Sequence, residues 1–262
     1  MTLPPVIFSL SERLKEVPGV IGIVLGGSQA TGTATPTSDI DLGLIYDGHA
    51  PFDLAALSHL CAELDDAGSA QPSALGGWGP WVDGGAWLTV QGQRVDFIYR
   101  DLRRIEQSVQ DALAGRVQLF AQVGHPHGIH AHHYAAELAN AVLLHDPQEA
   151  LADLKKRITP YPPALAAALQ THYGWQKNFW LDGAVKGASR GDVHYVQGCL
   201  YQSVMAWVQE RCAAGGRWLL NEKGALAQAT AQPGAPAELE ARVTAALNAQ
   251  DIAGLRRLFE EY

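Results

Sequence analysis

Two acids stand one residue apart inside an apolar run, Ser38-Asp39-Ile40-Asp41-Leu42-Gly43-Leu44-Ile45-Tyr46. A strand reconciles these residues, because alternate side chains face opposite ways. Asp39 and Asp41 then share one face while Ile40 and Leu42 enter a core. Two ionised carboxylates side by side repel each other and are costly to bury. This run must therefore lie with one face on a core and the other open to a cation. Shortly before it, "VIGIVLGG" reads as a short buried strand closed by Gly26-Gly27, and "SQATG" reads as the start of a helix.

The rest of the first hundred residues continues to alternate. "SLSERLKEVPG" predicts a helix ending at Pro18-Gly19, and "PFDLAALSHLCAELDDAG" predicts another that stops at Gly68. "QPSALGGWGPWVDGG" reads as a loop, and "AWLTVQGQRVDFIYR" as two strands joined through Gln91-Gly92-Gln93. From Asp101 onward the pattern is helical, including "HHYAAELANAVLLHD" and longer segments around 163–185, 191–214, 217–230 and 236–248, with strand signals nearly absent. Strands first and helices later predict an α+β chain: a small mixed-sheet core over 1–116 and a helical, bundle-like domain over 117–262.

Charge narrows the partners. Residues 1–100 hold four Lys+Arg against eleven Asp+Glu, whereas the remaining 162 are close to neutral. An acidic first segment is a poor partner for a nucleic-acid polyanion, so no nucleic acid is expected. No apolar run approaches the length that crosses a bilayer, so no membrane association is expected either. The opening residues lack a basic stretch ahead of a long apolar one, so no signal peptide is expected. With Cys61, Cys199 and Cys212 far apart and forming no CxxC pair, a reduced, cytoplasmic setting is the plain expectation.

The second strand of the "RVDFIY" pair carries a third apolar-flanked acid, Asp96. Hard oxygen ligands of this kind suit Mg²⁺ or Mn²⁺. Three acids on adjacent strands could hold two such cations, an arrangement suited to in-line displacement at phosphorus. Gly26-Gly27-Ser28 complements them, since glycine lets backbone approach a ligand and a helix start offers N–H groups to phosphate. The Gly-Lys-Ser/Thr ending of the familiar nucleotide loop is missing, so cations and backbone must neutralise the phosphates.

Gly27-Ser28, ten further residues, then Asp39-Ile40-Asp41, with Asp96 on a later strand, resembles the DNA polymerase beta-type nucleotidyltransferase superfamily. The resemblance implies that Gly27 and Ser28 grip a triphosphate and that Asp39 and Asp41 bind the metals. It implies that Asp96 binds the catalytic metal and helps activate the attacking hydroxyl. Thr31 stands where many members have arginine. The later half is similar, more loosely, to the helical domains of aminoglycoside and lincosamide nucleotidyltransferases, through "KGASRGDVHYVQGCLYQSV" and "WLLNEKGAL". That likeness makes Lys223 a candidate phosphate-binding base on a helix, with a solvated helix lysine as the alternative.

The function expected is therefore Mg²⁺-dependent transfer of a nucleoside monophosphate, AMP from ATP first among them, to a hydroxyl of a small acceptor such as an aminoglycoside-like antibiotic. Two alternatives stand beside it: a protein-modifying adenylyltransferase of antitoxin type and a non-catalytic nucleotide-binding module. Glu137 is weighed as an acceptor-side base against a solvated helix face. Arg190 and Asp192 are read as a helix start, and the five histidines of 125–133 as an interdomain loop rather than a zinc site. Tyr173, Trp175, Phe179 and Trp180 are read as helix core rather than a nucleobase platform.

Overall fold

The computed structural model describes residues 3–262; Met1 and Thr2, at the start of the expected first domain, lie outside the described residues. The chain forms two compact units. One comprises residues up to Gln110 together with His132–Pro160, and the other comprises Asp111–Ala131 with Tyr161–Tyr262.

In chain order the elements are α1 (Pro5–Leu14), β1 (Val20–Leu25), α2 (Gly27–Thr31), β2 (Ile40–Tyr46), α3 (Leu54–Leu64), β3 (Gly85–Val90), β4 (Gln93–Asp101) and α4 (Leu102–Leu113). There follow β5 (Leu119–Gln122), β6 (His125–His130), α5 (His133–Asn140), β7 (Val142–His145) and α6 (Ala150–Arg157). The remainder is helical: α7 (Pro163–Gly174), α8 (Gln176–Ala188), α9 (Val193–Ala214), α10 (Ala225–Thr230), α11 (Leu239–Asn248) and α12 (Ile252–Glu261).

Local chemistry sets many of these boundaries. Pro5 opens α1, where its missing N–H costs nothing. Asp53 caps α3 by accepting from the N–H groups of Ala55 and Ala56. Gln91 and Gly92 both take positive φ, 55° and 77°, as a two-residue hairpin turn requires. The carboxylate of Asp66 accepts both of their N–H groups at 2.9 and 2.8 Å, fixing the hairpin in register.

The first unit is built on a five-stranded mixed sheet of order β3-β4-β2-β1-β7. β2 and β4 run parallel, and the other neighbours are antiparallel. Ile23, Leu25, Ile40, Leu42, Leu44, Val95 and Phe97 are fully buried and pack with Ile7, Leu10 and Leu14 of α1 and Leu57 of α3. In the second unit α9 is buried around much of its circumference, with Leu200, Val204, Trp207 and Val208 packed among residues of α8, α11 and α12. Trp207 stacks on Phe259 at 5.0 Å.

Two features depart from the sequence reading. The stretch where strand signals are nearly absent carries three strands among the described residues, β5, β6 and β7. "HHYAAELANAVLLHD" splits at Ala141 into α5 and β7, and β7 pairs with β1, placing 132–160 in the first unit rather than beyond a single boundary near 116. The physical reason is that β1 would otherwise be a sheet edge, and the β-branched and leucine side chains of 142–144 serve a strand as readily as a helix. The histidine-rich stretch is likewise a strand, β6, hairpinned onto β5.

Candidate functional site

The sheet register places the acids. Asp41 of β2 lies directly opposite Asp96 of β4, flanked by the fully buried pairs Ile40–Val95 and Leu42–Phe97. Because those flanking side chains occupy the core face, both acids are turned to the other face, with their Cα atoms about 4.8 Å apart across the parallel ladder. Asp39 immediately precedes β2 and shares that face.

The turn after β1 closes the row. Gly26 donates its N–H to the Asp41 carbonyl at 2.8 Å, binding the glycine turn to the acid strand. Gly27 has φ 59°, and a Cβ there would stand 1.9 Å from Asp41 Oδ2. Glycine is thus demanded twice at this position, by backbone conformation and by the carboxylate against it. Ser28 follows in α2. The Thr31 hydroxyl turns back to the carbonyls of Gly27 and Ser28, at 3.3 and 3.4 Å.

An open cavity of ≈ 920 Å³ lies beside this row, lined by Asp39, Asp96, Arg94 and Trp87 together with residues 65–67, 69–71 and 88–89. Trp87 sits opposite Asp96 on the edge strand β3, is 68% exposed, and stacks on Trp78 at 4.6 Å and 17°. Asp65, in the same wall, accepts N–H bonds from Thr89, Ser69 and Ala70, which hold its carboxyl below the usual range.

Arg94 Nε approaches Asp39 Oδ1 to 2.7 Å. The approach is an ion pair without hydrogen-bond alignment, so this buried oxygen has a counter-charge but no aligned donor. Among the described residues no three His, Cys, Asp or Glu side chains are already clustered as a metal cage. The donor set nevertheless fits a hard divalent cation: an under-satisfied carboxylate oxygen at Asp39 and two further acids facing each other across one ladder.

The first unit therefore brings Gly26 and Gly27 against Asp41 and Asp41 opposite Asp96, with Asp39 and Asp96 lining one cavity and Ser28 next in the turn. Lys223 belongs to the second unit, exposed on a turn ahead of α10 rather than on a helix, with its N–H bonded to the Asn221 side chain. Arg94 and Trp87 escaped the sequence reading, although period-two alternation from Asp96 puts Arg94 on the acids' face of β4.

Residues 8–83 match the family model of the nucleotidyltransferase domain. Over those residues the chain is similar to a nucleotidyltransferase domain. The matched part of the nucleotidyltransferase domain contains the glycine turn, Asp39 and Asp41, and ends before β4 and Asp96. A crystal structure of a nucleotidyltransferase-like protein from Exiguobacterium sibiricum 255-15 is similar at a TM-score of 0.41 and 13% identity, over 96% of this chain and 72% of that one. No curated protein matches.

The other residues weighed from sequence have structural partners. Glu137 receives two bonds from Arg100, both at 2.7 Å, and lies 3.3 Å from His133. Burial would raise its pKa, but the Arg100 guanidinium outweighs this and holds it far below the carboxylate range, so Glu137 is a poor proton acceptor. Asp192 caps α9 through the Tyr195 N–H, as a helix start should. His130 bonds Tyr173 at 2.5 Å, and the Glu222 carboxylate accepts the His127 N–H at 2.8 Å. Tyr173 is buried and Trp180 partly so, but Trp175 and Phe179 are exposed rather than core. The three cysteines are buried and unpaired, and no helix among the described residues is long and apolar enough to cross a membrane.

Proposed function

We propose that this protein transfers a nucleoside monophosphate, AMP from ATP in the first instance, to a hydroxyl group of a small acceptor. The observation that carries the proposal is the single row of Gly26–Gly27, Asp41 and Asp96, with Asp39 on the same face. Asp39, Asp41 and Asp96 would hold divalent cations, Mg²⁺ or Mn²⁺, which offset phosphate charge and polarise the reacting oxygens when bound.

The chain's own groups supply position and field. Gly27 and Ser28 present backbone and hydroxyl to the phosphates where glycine permits close approach. Asp96, opposite Asp41 on the ladder, lines the open cavity, and it is the acid assigned to the acceptor's side. In the reaction the acceptor hydroxyl gives up its proton to solvent, its oxygen bonds to the α-phosphorus as the bond to the bridging oxygen breaks, and pyrophosphate leaves. Lys223 is retained as a candidate phosphate-binding base from the sequence likeness alone. Most of the gain in rate then comes from alignment and charge complementarity.

The acceptor proposed is hydroxyl-bearing and aminoglycoside-like, because the cavity wall is acidic and carries an exposed indole. The unpaired buried thiols suit a reducing cytoplasm. Incubation with α-labelled ATP, Mg²⁺ and a panel of aminoglycosides and other polyols tests the proposal. Label on a small molecule, reduced on the order of 10²-fold or more in Asp41→Asn and Asp96→Asn, is the expected result. Label on a polypeptide would instead favour the protein-modifying reading. Nucleotide binding without transfer to any acceptor would favour the non-catalytic one. Undiminished transfer in Asp96→Asn would refute the assignment of the acids.

A further inference from the structure

The cavity beside the acids carries one basic side chain. Of the twelve residues that line it, Arg94 is the only Lys or Arg, against Asp39, Asp65, Asp66 and Asp96. Arg94 and Asp96 stand two residues apart on β4 and so share a face. The Arg94 side chain is 70% exposed, and its ion pair with Asp39 lacks hydrogen-bond alignment. An exposed, poorly aligned pair holds its partners weakly. Asp39 itself is only 34% exposed, so the guanidinium lies over a carboxylate that is already largely covered.

The rest of the nucleotide site offers little positive charge. The Gly26–Ser28 turn has no lysine, and Thr31 spends its hydroxyl on local carbonyls. A polyphosphate entering this acidic wall needs a cation fixed to the same sheet. A guanidinium suits the task, because its planar fork donates two parallel hydrogen bonds to phosphate oxygens.

We propose that Arg94 is a phosphate-binding residue for the incoming nucleotide, and that in the nucleotide-free protein it serves as a removable counter-ion over Asp39. The guanidinium and a divalent cation compete for the same carboxylate oxygen. Occupation of Asp39 by the cation releases the guanidinium, which is then available to the phosphate oxygens of the nucleotide. Arg94 thereby shields the repelling acids when the site is empty and changes partner when it fills. This inference rests on the metal-binding reading of Asp39, Asp41 and Asp96.

The two roles have opposite signatures in Arg94→Ala. Without nucleotide, Mn²⁺ measured by electron paramagnetic resonance should bind about 2- to 5-fold more tightly, the range expected from losing an exposed ion pair. A non-hydrolysable ATP analogue with Mg²⁺, titrated by calorimetry, should bind on the order of 10-fold more weakly, since a charge-assisted bond to phosphate is lost. Arg94→Lys should restore part of the analogue affinity. A merely structural arginine would move both affinities in the same direction, and unchanged Mn²⁺ affinity or unchanged analogue affinity in Arg94→Ala overturns the inference. Asp39→Asn separates this from the reading beneath it. If wild type binds Mn²⁺ no better than Asp39→Asn, the metal site itself is wrong. If wild type binds and Asp39→Asn does not, a null result in Arg94→Ala removes the arginine alone.

Discussion

Gly26 and Gly27 are neighbours of identical chemistry, yet the structure predicts opposite responses to an added methyl group. At Gly27 the backbone is left-handed, φ 59°, which costs an alanine about 1–2 kcal/mol. The methyl carbon would also stand 1.9 Å from Asp41 Oδ2 and 2.9 Å from its Cγ, separations no packed atoms tolerate. The carboxylate must rotate away, which leaves the row facing Asp96. At Gly26 the backbone is extended, φ −111° and ψ −161°, and the nearest atoms to an added carbon lie at 3.8 Å. Gly27→Ala should therefore lose about 1–2 kcal/mol in urea unfolding followed by tryptophan fluorescence. Its Mn²⁺ affinity should fall on the order of 10-fold, because one ligand is displaced. Gly26→Ala should stay within about 0.5 kcal/mol of wild type. Equal losses at the two positions, or a Gly27→Ala protein with native stability and metal affinity, would refute the placement of Asp41 against the turn.

The buried pair in the first unit gives a second test. Arg100→Met removes a guanidinium whose side chain is 8% exposed and leaves Glu137, 33% exposed, with His133 alone. The expected cost is about 3 kcal/mol by chemical denaturation, the lower end for a broken buried pair because Glu137 keeps some water. Glu137 has its folded pKa depressed below the ordinary 4.5, so its contribution is complete above that pH and is lost as pH falls below it. Unfolding free energy measured from pH 6 to pH 3 should thus decline in wild type, and decline less in Arg100→Met. His132, buried and pushed down to about 3, should show an imidazole NMR resonance that does not titrate between pH 8 and pH 5. Movement of that resonance near pH 6.5 would contradict its burial.

Much of the candidate site's local structure was legible because it depends on local rules. Alternation alone turns Asp39 and Asp41 away from Ile40 and Leu42, and the glycine turn carries its own backbone requirement. The Gln91-Gly92 turn announced the hairpin that brings in Asp96. What stayed hidden depends on distant partners. Val142-Leu143-Leu144 has no fixed preference until β1 offers it an open edge. His125–His130 reads as a loop from its Gly and Pro, and becomes a strand because Leu119–Gln122 supplies a ladder. Arg94 was visible in the sequence, but its significance comes from Asp39, 55 positions earlier, meeting it across the sheet. Glu137 reads from sequence as a solvated helix face before an acceptor-side base, and neither reading foresees Arg100 claiming both of its oxygens.

The pairing of β7 with β1 also bears on how the polypeptide leaves the ribosome. Ile23, Val24 and Leu25 must wait for a partner synthesised more than a hundred residues later, while the hairpin and helices between them emerge. Until Val142 arrives, β1 presents a row of unmatched amide and carbonyl groups flanked by hydrophobic side chains, a surface that invites association with other nascent chains. A shortened product ending near residue 116 would keep every proposed metal ligand and yet retain that raw margin permanently. The integrity of the sheet that carries the three acids is thus decided by a four-residue strand that holds none of them.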